Sequence, residues 1–146
     1  MRTRVFCGFI SWLIIALTLR AEPGQEKLLV DIRAVMVAQE AAWNRGDVDG
    51  FMKGYAHSRT TVFISGDSVT RGWETVRNRY KKKYATGEQM GRLAFSDLEI
   101  KALGPDAALV LGRWELKRKS DHPHGRFTLL FRRTPDGWRI VHDHTS

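Results

Sequence analysis

Two hydrophobic periods run along the chain, and the change from one to the other divides it. From Glu26 to Arg45, apolar residues recur at Leu28, Leu29, Ile32, Val35, Met36 and Trp43, a helical spacing that predicts one long amphipathic helix. Gly46 is placed to end it. Asp47 is placed to cap a second helix over Val48 to Tyr55, because a short acceptor side chain satisfies the free N–H groups of a first turn. Thr60–Ile64 and Ser68–Arg71 flank Ser65-Gly66-Asp67, which predicts two short strands around a tight turn, and Trp73–Tyr84 returns to helical spacing. Beyond Gly87 the period is two. Leu93–Leu103, Ala107–Lys119, Arg126–Arg133 and Trp138–Thr145 predict strands joined by Gly104-Pro105-Asp106, by Ser120–Gly125 and by Thr134-Pro135-Asp136-Gly137. Within Leu93–Leu103 the apolar parity switches, from Leu93 and Phe95 to Leu98 and Ile100, which predicts a β-bulge near Ser96. Helices first and a strand meander afterwards make an α+β domain. The expected architecture is conical, with N-terminal helices packed on a strongly curved antiparallel sheet.

The last strand brings in candidate chemistry. Period-two geometry puts Trp138, Ile140, His142 and His144 on one face, so a strand that starts by filling a core ends by aiming two imidazoles from the same side. Imidazole titrates near pH ~6.5 and serves as acid or base at ordinary pH. The plainer alternative is that both histidines tie down the chain end together with Ser146. Two His-x-His pairs, His122/His124 and His142/His144, raise metal ligation, which would want a third ligand such as a carboxylate in reach; His122-Pro123-His124-Gly125 reads as a loop, so the C-terminal pair carries most of that reading. No metal or other cofactor is assigned. Asp67 sits in a turn sequence where Asp is common for local hydrogen bonding.

The N-terminus bears on location. Met1-Arg2-Thr3-Arg4 is a basic start, Val5–Leu19 is an apolar run of 15 residues, and Ala21 offers a cut before Glu22. The run is shorter than the ~20 residues a spanning helix usually needs. Residues 1–21 are therefore expected to be a signal peptide and 22–146 the domain, periplasmic or secreted, with no stable membrane anchor once the signal is cut. Cleavage would remove Cys7, the only cysteine, so thiolate chemistry and disulfides are excluded from the mature chain. It would also remove Arg2, Arg4 and Arg20, lowering the net charge from +8 to +5. The densest basic stretch, Arg77–Tyr84, reads as a solvated helix face with Tyr80 and Tyr84 packing inward at i, i+4; no base-reading motif accompanies it, and nucleic acid is not an expected partner.

Trp43-Asn44-Arg45-Gly46-Asp47-Val48-Asp49-Gly50-Phe51, then Tyr55-Ala56, a turn near Gly66, Arg71-Gly72 and the closing Gly137–Ser146 resemble the nuclear transport factor 2-like superfamily, and within it the SnoaL-like, ketosteroid-isomerase-homologue group. The resemblance spans about Glu26 to Ser146. It implies the conical fold but no single activity, because this superfold carries isomerases, cyclases, dehydratases, association modules and ligand-binding domains. Ketosteroid isomerases use a carboxylate base and an oxyanion hole made by a tyrosine and a protonated aspartate. Aligned without gaps, those positions fall on Phe63, Gln39 and Leu129, so steroid-isomerase chemistry is not expected.

The resemblance places a cavity between the first helix and the concave sheet. Trp43, Tyr55, Phe63, Trp114, Phe127 and Phe131 are candidates to line it, with Trp43 and Trp114 foremost; their indole N–H groups need partners, which a ligand or Glu115 would supply. If Trp114 points inward, Arg113 and Glu115 lie on the convex face; if parity is reversed, Arg113 becomes an anion-binding group in the pocket. The expected function is binding of a small, partly apolar molecule, with an acidic one as a variant, by Trp43, Tyr55, Trp114, Phe127 and Ser146. Any catalysis would be cofactor-free acid–base chemistry by His144 with His142 or Asp143. On that expectation, His144→Ala abolishes ligand-induced stabilisation. The alternative is a non-catalytic association module, and a homodimer is expected in either case.

Overall fold

A computed structural model describes residues 23–146; the expected signal peptide lies outside the described residues. Helix α1 (Pro23–Asn44) buries Leu28, Ile32, Met36, Gln39 and Trp43 along one stripe, the i, i+3, i+4 rows that face a common partner. Gly46 follows with φ +81°, a left-handed conformation that costs glycine nothing, and the chain turns into α2 (Val48–Met52). Asp47 caps α2, its carboxylate accepting from the Gly50 N–H at 2.6 Å. The second helix is shorter than the sequence predicts, because residues 54–56 pair with the sheet: Ile140 N–H donates to the Gly54 carbonyl and Ala56 N–H to the Ile140 carbonyl. A hairpin of β1 (Val62–Ser65) and β2 (Ser68–Arg71) precedes α3 (Trp73–Lys83) and a short α4 (Gly87–Met90), which periodicity does not reveal.

Four long strands complete the chain: β3 (Arg92–Gly104), β4 (Ala107–Lys117), β5 (His124–Thr134) and β6 (Gly137–Thr145). The spatial order is β2-β1-β6-β5-β4-β3. The sheet is curved, unclosed and mixed rather than wholly antiparallel, because β1 runs parallel to β6 with Phe63 opposite Asp143. Sequence patterning predicts strands but not this pairing, which joins segments far apart in the chain.

Among the described residues the sheet has three register shifts: one at the β3–β4 turn, between Ala102 and Gly104, and two within the long strands. The first of these two is the one expected near Ser96: the β3–β4 register shifts between Ser96 and Glu99, and Asp97 takes φ +52°. Gly112 stands opposite, where a side chain would collide with Phe127 and Leu98. The second is unexpected. Leu130 pairs with His142 but Phe131 pairs with Ile140, leaving Val141 as an extra residue in β6. β3, an edge strand, is covered by α1: Asn44 both accepts from the Leu93 N–H at 2.7 Å and donates to the Leu93 carbonyl at 2.9 Å, and Glu40 accepts from the Phe95 N–H at 2.9 Å. The helices lie on the concave face, and the core fills the gap between.

Candidate functional site

The bulge at Val141 decides the polar content of the cone. Before it, Trp138 and Ile140 point into the core; after it, parity is inverted, so Asp143 and Thr145 continue the inward face. The expected alignment of His142 and His144 with Trp138 and Ile140 is therefore corrected. His142 is half-buried and His144 exposed, and neither lines the cavity. One inserted residue exchanges two imidazoles for a carboxyl and a hydroxyl.

The cavity encloses about 110 Å³. Its helical wall is aromatic: Trp43 packs edge-on against Phe51 (5.1 Å between centroids) and Tyr84 (4.7 Å), and Tyr80 lies against Phe51 (5.2 Å) and Phe63 (5.5 Å). The sheet wall is formed by Leu93, Phe95, Leu116, Phe127 and Leu129, with Trp114, Thr145 and Ser146 toward the rim. Trp43, Tyr55, Trp114, Phe127 and Ser146, all singled out from sequence, are brought together here, as is Phe63; Phe131 is instead fully buried in the core. The indole N–H groups have partners of their own: Trp43 donates to the Met90 carbonyl and Trp114 to the Ser146 carbonyl, each at 3.1 Å. Glu115 supplies neither, because Trp114 faces inward and Arg113 and Glu115 consequently lie on the convex face. His124 opens β5, its Nδ1 3.0 Å from the His122 carbonyl, and no group of three potential ligands comes together among the described residues. Asp67 stays in its turn, exposed.

At the buried end sits Asp143, only 3% exposed. Tyr55 donates to its Oδ2 at 2.6 Å and Thr145 to its Oδ1 at 2.6 Å. Burial pushes the carboxyl up to about 6; the hydrogen bonds from Thr145 and Tyr55 and the proximity of His144 pull the other way without cancelling it. Burial and the Asp143 charge together raise the Tyr55 phenol well above its ordinary 10, and the same two causes raise Tyr80. Both tyrosines therefore stay protonated in water. Of the three positions expected to lack isomerase groups, Phe63 and Leu129 flank Asp143 on the neighbouring strands, and Gln39, buried in the cavity wall, donates to the Phe51 carbonyl at 3.1 Å. The carboxyl of Asp143 stands on β6, the strand between those of Phe63 and Leu129.

A model of the SnoaL-like domain matches residues 32–146. The chain belongs to this family. Among curated proteins none matches the sequence. An NTF-2 like protein of unknown function from Shewanella oneidensis MR-1 is 43% identical, with a TM-score of 0.78 over 82% of this chain and 98% of that one. A protein from the DUF3225 family of Pectobacterium atrosepticum SCRI1043 is 26% identical, with a TM-score of 0.67 over 84% and 92%. A nuclear transport factor 2 superfamily protein from Salmonella enterica shares the fold at 22% identity, with a TM-score of 0.69 over 84% and 92%. The SnoaL-like fold is thereby established, and its site must be judged on its own chemistry.

The sequence pattern marks Asp143 only as a helper of His144 and does not mark the Tyr55 hydroxyl, Thr145, Arg79 or Lys83. The available signal was the second polar set on the same strand: Asp143 and Thr145 alternate as regularly as His142 and His144. Nothing local marks Val141, a β-branched residue at home in any strand.

Proposed function

We propose that this SnoaL-like domain, in an exported protein, binds a small, partly apolar molecule in its cone and performs cofactor-free acid–base chemistry on it at Asp143. The observation that carries the reading is a single carboxyl set among aromatic rings, with a hydroxyl donor on each oxygen and an affinity for protons raised to the edge of neutrality. A carboxyl placed only for stability would gain from an arginine or backbone N–H groups that lower its pKa; this one is desolvated instead. Above about pH 6 it accepts a proton from a ligand carbon or oxygen, and below that it donates one. Tyr80 supplies a protonated hydroxyl to the same cavity, and the aromatic walls exclude water. Isomerisation, cyclisation or hydrolysis of a carbonyl compound fits these parts. The basic start and apolar run of residues 1–21 support export.

Hydrogen–deuterium exchange of a panel of small cyclic ketones and keto acids, followed by proton NMR, tests the assignment. Asp143→Asn is expected to slow enzyme-dependent exchange by about a hundredfold or more, the usual contribution of a positioned base. His144→Ala is expected to leave it unchanged. Exchange that survives Asp143→Asn and disappears in His144→Ala would restore the histidine assignment.

A second reading, compatible with the first, concerns the convex face. Register aligns Leu109, Leu130, His142 and Val62 in one row across β4, β5, β6 and β1, and Leu111, Thr128, His144 and Ile64 in the next. This partly apolar face supports pairing of two copies, in which the histidines would lie at the contact.

A further inference from the structure

The basic run on α3 separates into two pairs with different surroundings. Arg77 and Lys81 turn toward α2 and both bind the Asp49 carboxylate, whose pKa they lower to about 2. Arg79 and Lys83, also one turn apart, line the cavity. Neither has a carboxylate partner among the described residues. Arg79 is fixed: one Nη donates to the Thr70 hydroxyl at 2.8 Å, and the guanidinium covers the Phe63 ring at 5.2 Å. A guanidinium has five N–H donors, so this bond leaves others free for a planar anion. The Lys83 ammonium stands 5.3 Å over the Tyr84 ring at the exposed rim.

We propose that Arg79 and Lys83 anchor the acidic group of the ligand, and that the ligand is a small ring compound carrying a carboxylate. The assignment rests on the cone being a small-molecule pocket. The ring follows from the walls: the cavity, about 110 Å³ and open at the rim where Lys83 stands, lies between Tyr80 and Tyr84 on one side and Phe95 and Phe127 on the other, faces on which a flat ring stacks. The carboxylate follows from the two cations, Arg79 half-buried and Lys83 exposed, neither of which pairs with the buried acid, whose oxygens are taken by Tyr55 and Thr145. Phe63 stands between the two groups: its ring lies under Arg79, and its backbone is opposite Asp143 in the β1–β6 register. A ligand held by its carboxylate at the rim thus presents the far side of its ring to Asp143 and keeps its own charge away from that group. The net positive charge of the chain favours arrival of such anions.

The test is calorimetric titration of the wild-type protein with benzoate, phenylacetate and cyclohexanecarboxylate, each beside its neutral amide, at low and moderate salt. The acids are expected to bind about tenfold or more tightly than the amides, with the preference falling as salt rises. Lys83→Gln, at an exposed position that places no demand on folding, is expected to reduce that preference about threefold, and Arg79→Gln to reduce it about tenfold. Equal binding of acids and amides would overturn the anchor while leaving the pocket intact. Binding of neither class up to millimolar concentration would overturn both. An acid preference unchanged in Lys83→Gln and in Arg79→Gln would assign the charge recognition elsewhere.

Discussion

Asp143→Asn is expected to stabilise the protein above neutral pH, although it removes a buried, doubly hydrogen-bonded side chain. Burial raises the carboxyl from 3.8 to about 6, a difference that corresponds to roughly 3 kcal/mol between its charged and neutral forms in the fold. Between about pH 4 and 6 the folded protein holds a proton that the unfolded chain has released, so this group's contribution to stability falls as pH rises through that window. Above it the full cost of an ionised, desolvated carboxylate is present. Asparagine keeps the shape and cannot ionise, but its NH₂ cannot accept from whichever hydroxyl it faces, Tyr55 or Thr145, and that mismatch costs about 1 kcal/mol. The net expectation is a variant about 2 kcal/mol more stable than wild type at pH 8 and about 1 kcal/mol less stable at pH 4. Urea unfolding of both proteins at intervals from pH 4 to 8 gives the difference directly, and contributions from unaltered groups largely cancel. A difference that stays constant across this range, or a variant less stable at pH 8, would refute the argument that burial dominates at this carboxyl.

Tyr55→Phe removes the 2.6 Å donor to Asp143, so the carboxyl is expected to titrate at higher pH than in wild type, and the protein to lose about 1.5–3 kcal/mol at pH 8; carbon-13 NMR of the Asp143 side chain and urea unfolding read the two effects, and an unmoved titration would contradict the hydrogen bond. Gly112→Ala places a methyl group against the Phe127 ring and Leu98 opposite the first bulge; a loss of about 1–3 kcal/mol in urea unfolding is expected, and a neutral result would mean that the sheet wall yields there.

The parts of this fold that local pattern encodes were legible. The stripe from Leu28 to Trp43 marks α1, the Pro-Asp-Gly turn marks the β5–β6 hairpin, and the parity switch from Phe95 to Leu98 marks the first bulge because inward residues on both sides are unmistakably apolar. The second bulge left no such trace: beyond Ile140 both parities carry polar residues, so neither His142/His144 nor Asp143/Thr145 announces itself as inward. The parallel β1–β6 pairing was equally hidden, since strand neighbours distant in sequence leave no periodicity. The site inherited both blind spots. Its aromatic walls follow from alternation on strands and spacing on helices, whereas the Tyr55–Asp143 bond joins residues 88 positions apart and exists only because Val141 turns the strand over.

Whether the cone holds a small molecule is read by native mass spectrometry of the protein purified gently from its own host, followed by denaturation. A small non-protein species is expected to travel with the folded chain and to be released on unfolding. A bare polypeptide mass, monomer or dimer, with nothing released, would contradict this expectation and favour the fold as an association module.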